Sequence, residues 1–563
     1  MNVTRRDVFG SALGLAVTMS PLARVSTSTA IALADPQDGS AAAVPRDRLL
    51  AAANATKQEL KTVLYQAQSE VTPVAEPSAF LRWKMKTVGS VKALSSRLIK
   101  SGDTVYVDFG RHLVGYLSFQ LDVVGRNVDS PARLRLTFGE VPGDVAEPLY
   151  PSKGDLPASW LPDEVVNLDP LPRSFRMDRR HAFRYLRIDV MAMSQQYSLR
   201  LSKIEAQTVS SAVREPTPLS PEYGPLAREI DRAAIQTLHD CMQTVFEDGP
   251  RRDQRLWTGD LRLEALSNSV TFRNFDLVRH CLYLLAAFPQ DDGMLTADVY
   301  EKPAPKRAGD VISDYALLYT AIVREYLDAT GDLATCRDLW PTVTRQFEIA
   351  ATHVNPEGLY VDPKTAWIFI DWEPALQRDA SMQGVIVFSL RHAAYLAGKL
   401  GDRQRQAAYQ ATIEKMCAAA RAHFYDGKLN LFVSGPERQI SWSSQAWLSL
   451  AGMLPAKETA SVLRTATTHR DILMPGTPYG YHYIVEAMVT SGLNEEAENV
   501  IAAYWGGMVQ RGADTFWEAY NPSNSTASPY GDVHLNSFCH GWSATPTYFF
   551  RKHGLGKSEI FGR

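Results

Sequence analysis

The sequence predicts a multidomain α and β protein: an N-terminal β-sandwich domain followed by a closed ring of paired helices. Three observations carry this. Apolar residues alternate with polar ones in short runs between 80 and 212, and Gly and Pro separate the runs. Helical spacing takes over after Pro216 and Pro221 and persists to the end of the chain. Within that half, Gly331-Asp332 and Gly401-Asp402 each close one helix and cap the next, the mark of successive helical hairpins.

The chain has 563 residues, enough for two or three domains with large cores. Apolar residues make up 45% and charged residues 21%, an ordinary globular composition. A net charge of −3 argues against a nucleic-acid partner, which needs a basic surface to neutralise phosphates. Five cysteines (241, 281, 336, 417 and 539) are odd in number, widely spaced and without a C-x-x-C, so neither a disulfide framework nor a zinc site is indicated.

Residues 1–34 read as a signal peptide. Arg5-Arg6 precedes an apolar run from Ala12 to Met19 and a closing Ala32-Leu33-Ala34. The adjacent arginines fit a twin-arginine signal, which exports folded proteins to the periplasm or beyond. No stretch is long enough to span a bilayer. Residues 35–79 read as a leader and a helix, with Leu49, Leu50, Ala53, Leu60 and Leu64 near helical spacing.

In 80–212, alternation at 105–110, 117–123, 133–138 and 185–190 predicts strands of a sandwich or jelly roll. Pro142 to Pro172, rich in Pro, Asp and Gly, reads as a long loop. In 222–555, Leu318, Ile322 and Leu327 mark one helix face and Val385, Phe388, His392, Leu396 and Leu400 another. About a dozen helices follow from the usual helix-plus-loop length. Such a ring gathers its loops at one end, where a sugar-sized pocket forms.

Four segments carry candidate chemistry. In Asp248-Gly249-Pro250-Arg251-Arg252-Asp253-Gln254-Arg255-Leu256-Trp257-Thr258-Gly259-Asp260, Pro250 reads as a first helical residue. A continuous helix then places Asp253 and Asp260 on one face with Trp257 between them, as a carbohydrate-binding wall. Singly, Asp248 also reads as an N-cap, Asp253 as a first-turn Asp and Asp260 as a surface ion-pair partner. The second segment is Thr515-Phe516-Trp517-Glu518, the third is His540-Gly541-Trp542, and the fourth runs from Trp367 to Asp371-Trp372-Glu373 as a short buried stretch. A core Phe-Trp and a satisfied core histidine are the plainer readings of the second and third.

Taken in order, these segments resemble the α-L-rhamnosidases of glycoside hydrolase family 78, over about 80–555 and most closely over 246–550. The resemblance implies an (α/α)6 barrel catalytic domain behind β-sandwich modules. It also implies inverting hydrolysis of terminal L-rhamnose, a reaction that needs no cofactor and no metal. By position, it makes Asp253 the general acid and Glu518 the general base, with Asp248 and Asp260 binding the sugar. The family usually has Glu where Asp253 stands. The sequence ends soon after the barrel, without the C-terminal sandwich of many members, so a more open site, or one completed by a partner subunit in a homodimer, is the expectation.

Apolar walls for the C6 methyl are sought in Trp257, Trp372, Trp442 and Trp542, and Trp517 and Asp371 are grouped with the binding residues. Arg252 and His540 are candidates for the hydroxyls. Arg252 and Arg255 favour the ionised form of Asp253, whereas Asp248, Asp260 and burial against Trp257 favour the acid, and the sequence leaves that balance open. Two alternatives remain: a glycosidase on the same barrel acting on an L-arabinoside or an unsaturated uronide, and a sugar-binding relative without turnover.

Overall fold

In the computed structural model, residues 44–562 are described. The signal reading of 1–34 and the leader up to 43 lie outside them. A short helix, α1 (Arg46–Asn54), comes first. The chain then enters the sheet at β1 (Lys61–Gln66) and β2 (Ser69–Ala75). This corrects the helical expectation for this stretch, and the sheet begins before the expected boundary at 80. Leu64 is exposed on β1, an edge strand pairing with β9 (Tyr197–Ser210), so its helical spacing to Leu60 reflects no shared face.

The sheet is antiparallel throughout, with β3 (Trp83–Ser90), β4 (Thr104–Gly125), β5 (Ala132–Gly139), β6 (Asp163–Leu168), β7 (Arg173–Arg176) and β8 (His181–Ala192) completing it. The runs at 105–110 and 117–123 belong to one long strand, β4. Its register shifts between Asp108 and Leu113, and it pairs with β8 and β2 before the irregularity and mainly with β9 and β7 after it. A register shift of this kind bends a strand and lets it serve two layers. Val105, Val107, Leu117, Leu134, Leu136, Leu186 and Leu199 fill the space between. The expected long loop from Pro142 to Pro172 holds a short helix, Pro142–Ala146, and β6.

The second half contains α2 (Pro225–Cys241), α3 (Thr258–Val270), α4 (Phe275–Ala287), α5 (Ser313–Thr330), α6 (Leu333–Ala351), α7 (Asp379–Leu400), α8 (Arg403–Phe424), α9 (Trp442–Leu450), α10 (Ala456–Thr468), α11 (Pro478–Thr490), α12 (Asn494–Gln510) and α13 (Pro546–His553). Contacts run α3–α5–α7–α9–α11, and the segment 541–553 closes the ring back onto α3, while the alternate helices pack outside. Gly331 and Gly401 end α5 and α7 in the left-handed conformation. Asp332 and Asp402 then accept hydrogen bonds from Thr335 N (3.0 Å) and Arg405 N (3.1 Å) to start α6 and α8. Among the described residues, no helix is long and apolar enough to cross a membrane.

The two halves share a core. Phe80, on the β side, packs its ring 4.0 Å from Trp517 and 5.3 Å from Phe538.

Candidate active site

The segment 248–260 is not one helix. Asp253 and Gln254 have φ of 61° and 53°, left-handed values that stop a right-handed helix. Asp tolerates that region better than most residues because its short polar chain bonds locally. Gln254 N donates to Gly249 O (3.3 Å) and to Arg252 O (2.9 Å), closing a tight turn. Asp248 and Arg255 pair across the turn's base, Asp248 N to Arg255 O at 3.1 Å and Arg255 N to Asp248 Oδ1 at 3.2 Å. Leu256–Trp257 (β10) then pairs with Asp298–Tyr300 (β11), and α3 begins at Thr258. The expected helical face is therefore replaced by a turn and a strand.

The acids converge all the same. A cavity of about 330 Å³ is lined by Asp248, Asp253, Trp257, Asp260, Tyr315, Trp367, Phe369, Trp372, Glu518, Tyr530, His540 and Trp542, together with Ile312. Asp260 enters from the first turn of α3, where Gly259 leaves room for the Tyr315 ring: an added Cβ would lie 2.2 Å from it. Tyr315 Oη donates to Asp260 Oδ2 at 3.3 Å.

Glu518 comes from the far end of the chain. Its carboxylate accepts from Arg252 Nη2 (2.8 and 2.6 Å), from Ser537 N (3.1 Å) and from the Tyr530 hydroxyl. Burial pushes this carboxyl up, but Arg252, the Tyr530 hydroxyl and the Ser537 N–H outweigh it, and the group stays below its ordinary 4.5. The reverse holds for Asp248 and Asp260. Burial raises both well above the ordinary range; Asp253 and Asp260 add to the effect on Asp248, and Glu518 and Asp253 add to that on Asp260. The pocket thus holds an ionised carboxylate beside carboxyls that favour their protons. Burial also holds His540 down at about 4, so its ring is neutral near pH 7. It packs against Trp542 with centroids 4.2 Å apart and the rings tilted by 38°.

Four expected binding residues stand elsewhere. Arg252, 1% exposed, is not among the cavity's lining residues; its guanidinium lies between Glu518 and Asp253 Oδ1 (3.2 Å). Asp371 is a structural cap: it accepts from Gly476 N (2.7 Å), Glu373 N (2.9 Å) and the Thr477 hydroxyl. Together with Asp314, which accepts from Phe369 N and Ile370 N, it pins the stretch that delivers Trp367, Phe369 and Trp372 to the pocket. Trp517 and Glu518 are adjacent on an irregular stretch, and Trp517 turns away to the core against Phe80 while Glu518 faces the pocket. Trp442 opens α9 and is buried in the core without lining the cavity. Tyr530, Tyr315 and Ile312 line the pocket and belong to none of the four segments, while Trp367 and Phe369 come from the fourth, where the apolar run 367–370 is their signal.

Among the described residues, His112, Asp240 and Cys539 bring ligand-type atoms within 4.8 Å of one another. Both His112 nitrogens already meet carboxylates, Asp240 at 2.7 Å and Glu140 at 3.0 Å, so the group is a satisfied ion-pair network. Inside the pocket, Asp260 Oδ1, Trp257 Nε1 and His540 Nδ1 are buried without a protein hydrogen-bond partner. Buried polar atoms need partners. Polar orphans framed by indole faces suit a ligand with hydroxyls on its edges and C–H groups on its faces.

A ring of paired helices whose pocket joins acids and indoles, behind an antiparallel β domain, suits the class of glycoside hydrolases. The comparisons specify which. The family model for the bacterial α-L-rhamnosidase six-hairpin glycosidase domain matches residues 224–553, and that for the glycosyl hydrolase family 78 α-rhamnosidase N-terminal domain matches 67–208. The chain belongs to the α-L-rhamnosidases of glycoside hydrolase family 78. It is 39% identical to a rhamnosidase from Klebsiella oxytoca solved with rhamnose bound, with a TM-score of 0.88 over 91% of this chain and 99% of that one. The family 78 rhamnosidase of Bacillus sp. GL1 shares the fold at 21% identity, with a TM-score of 0.70 over 83% of this chain and 49% of that one. An α-L-rhamnosidase of Alteromonas sp. (strain LOR) is 24% identical over 516 residues, 86% of this chain. The chain spans 53% of that relative's length.

Proposed function

We propose that this chain removes terminal L-rhamnose from α-linked rhamnosides by inverting hydrolysis, with Asp253 as general acid and Glu518 as general base. One observation carries the reading: Glu518, held ionised by Arg252, shares one pocket with Asp253 and with Asp248 and Asp260, whose burial favours their protonated forms, between indole walls. The likeness to a rhamnosidase with rhamnose bound, over nearly the whole of that chain, supports the sugar.

In the proposed reaction Glu518 takes a proton from a water molecule as its oxygen attacks the anomeric carbon. Asp253 gives a proton to the departing glycosidic oxygen, the C–O bond breaks, and the transition state resembles an oxocarbenium ion. Inverting enzymes keep the two carboxyls about 6.5–9.5 Å apart to admit that water. Both acids reach the same guanidinium, that of Arg252. Asp248, Asp260 and neutral His540 are the partners for ring hydroxyls, and Trp257, Trp372 and Trp542 are the apolar surfaces for the ring face and the C6 methyl.

Export by the N-terminal twin-arginine-type segment and assembly as a homodimer belong to the same proposal. All five cysteines are free and buried, which suits a protein exported already folded. Cell fractionation and light scattering test these two points. Turnover of 4-nitrophenyl α-L-rhamnoside, and its loss in Asp253→Asn and Glu518→Gln, tests the reaction. Turnover of the α-L-arabinoside or an unsaturated uronide in its place moves the assignment to the sister substrate.

A further inference from the structure

We infer that the β domain is part of the catalytic apparatus: Glu140 and Asp144, acting through Arg251, fix the turn that carries Asp253 and the segment that seats Glu518. The inference rests on the acid–base reading of those two residues.

Glu140 follows β5 directly, and Asp144 lies in the short helix after it. Asp144 grips Arg251 with both oxygens, Oδ2 to Nη1 at 2.8 Å and Oδ1 to Nη2 at 3.1 Å. Glu140 Oε2 meets Arg251 Nη1 at 3.3 Å and accepts from Phe538 N at 2.6 Å, while its Oε1 meets His112 Nε2 at 3.0 Å. Arg251 in turn donates Nη2 to His534 O at 2.6 Å. The His534 ring stands against Asp144 Oδ1 at 3.3 Å and Glu147 Oε2 at 3.2 Å.

From Arg251 the network passes to the working groups without a gap. Its neighbour Arg252 donates Nε to Leu535 O (2.9 Å) and Nη2 to Glu518, and contacts Asp253 through Nη1. The segment 534–538 is therefore held at four points: His534 O by Arg251, Leu535 O by Arg252, Ser537 N by Glu518 and Phe538 N by Glu140. Two of the four holders come directly or through one side chain from the β domain. Glu140, Asp144 and Arg251 are 1%, 0% and 6% exposed. Buried ion pairs contribute little net stability, because desolvation offsets attraction, and apolar residues could fill the same volume. Placement is what a forked, bidentate pair supplies that packing does not. Glu140, Asp144 and Arg251 are therefore positioning residues; none of them lines the pocket.

The test uses the full chain and 4-nitrophenyl α-L-rhamnoside. Asp144→Asn and Arg251→Lys are compared with wild type for kcat, KM and the acidic limb of kcat/KM, with near-UV circular dichroism to confirm folding. Arg251→Lys keeps the charge and loses the fork. The expected result is a fall in kcat of about 100-fold, the scale of a misplacement near 1 Å, with a smaller change in KM because Asp260, Trp257 and Trp372 stand on elements outside the network. The acidic limb shifts to higher pH, since Glu518 loses its alignment with Arg252. If Asp144→Asn fails to fold, Glu140→Gln takes its place; it keeps an acceptor for Phe538 N and gives a smaller fall in kcat with the same shift. Folded variants with wild-type kcat and an unmoved limb, in an assay where Glu518→Gln loses the rate, overturn the inference and leave the acid–base reading intact. A rate that survives Glu518→Gln overturns both.

Discussion

Arg252 Nη2 donates to both carboxylate oxygens of Glu518, at 2.8 and 2.6 Å, across 266 positions of sequence. One guanidinium thereby joins the turn after α2 to the loop after α12 and keeps Glu518 ionised under burial that would otherwise protonate it.

Arg252→Met removes that cation. Glu518 lies below 4.5 in the folded protein, so it contributes stability above its unfolded value, lost as pH falls through the folded one. Without Arg252 its burial is opposed only by weaker partners. The acidic limb of kcat/KM moves to higher pH, and stability at pH 7 falls by about 3–5 kcal/mol, the usual result of breaking a buried pair. A pH–rate profile and a denaturant titration check the two effects.

Tyr530→Phe deletes one hydrogen bond to Glu518 and keeps the ring against Trp372, whose centroid is 6.0 Å away. Hydrogen bonds to charged groups are worth about 1.5–3 kcal/mol, so kcat is expected to fall at least tenfold with little change in KM. A change confined to KM would mean that Tyr530 contacts sugar rather than the base.

Trp372→Ala strips an aromatic wall from the pocket and raises KM about fivefold to tenfold. Trp442→Phe, in the core beyond the cavity, leaves KM unchanged and lowers the melting temperature. Equal effects of the two on KM would contradict the placement of the walls.

Ligand-free stability declines from pH 7 to pH 9, above the range in which buried neutral histidines such as His540 gain their contribution. Burial pushes Asp298 up to about 7 and Glu325 up to about 7. Such carboxyls favour the folded state fully below their unfolded value, about 4, and that advantage is lost as pH rises through about 7. Burial pushes His534 down, but Asp144 and Glu147 carry it to about 9, so its contribution is present below 6.5 and lost through 9. Depressed carboxyls such as Asp144 and Glu518 have completed their contribution below this window. A melting temperature that rises from pH 7 to pH 9 would count against this balance.

The clustering of acids and indoles was legible in sequence because the chemistry sits in short contiguous strings, 248–260, 515–518 and 540–542. Their geometry was not. A helix was expected over 249–260 from Pro250 and the seven-residue spacing, yet the back-bonding of Gln254 to Gly249 makes a left-handed turn at Asp253. Trp517 was grouped with Glu518 by adjacency, but the two side chains face opposite ways. Tyr530 belongs to no motif; it reaches Glu518 through a loop whose path only the fold sets. The helical hairpins were readable because Gly-Asp pairs act locally. Strand β1 was not, because an exposed edge strand carries no clean alternation.

The stereochemistry of the first product is a separate check on the mechanism. Proton NMR during the first minutes should show β-L-rhamnose appearing from an α-rhamnoside ahead of mutarotation. The α anomer forming first would mean retention and a different role for Glu518.

The most direct measurement is the release of 4-nitrophenol from its α-L-rhamnoside by wild type, Asp253→Asn and Glu518→Gln between pH 4 and 8. The account predicts turnover by wild type and loss of most of the rate in both variants. Wild-type turnover undiminished in Asp253→Asn would place the acid elsewhere, with Asp248 or Asp260 next in line, and no turnover by wild type at any pH would contradict the rhamnosidase reading itself.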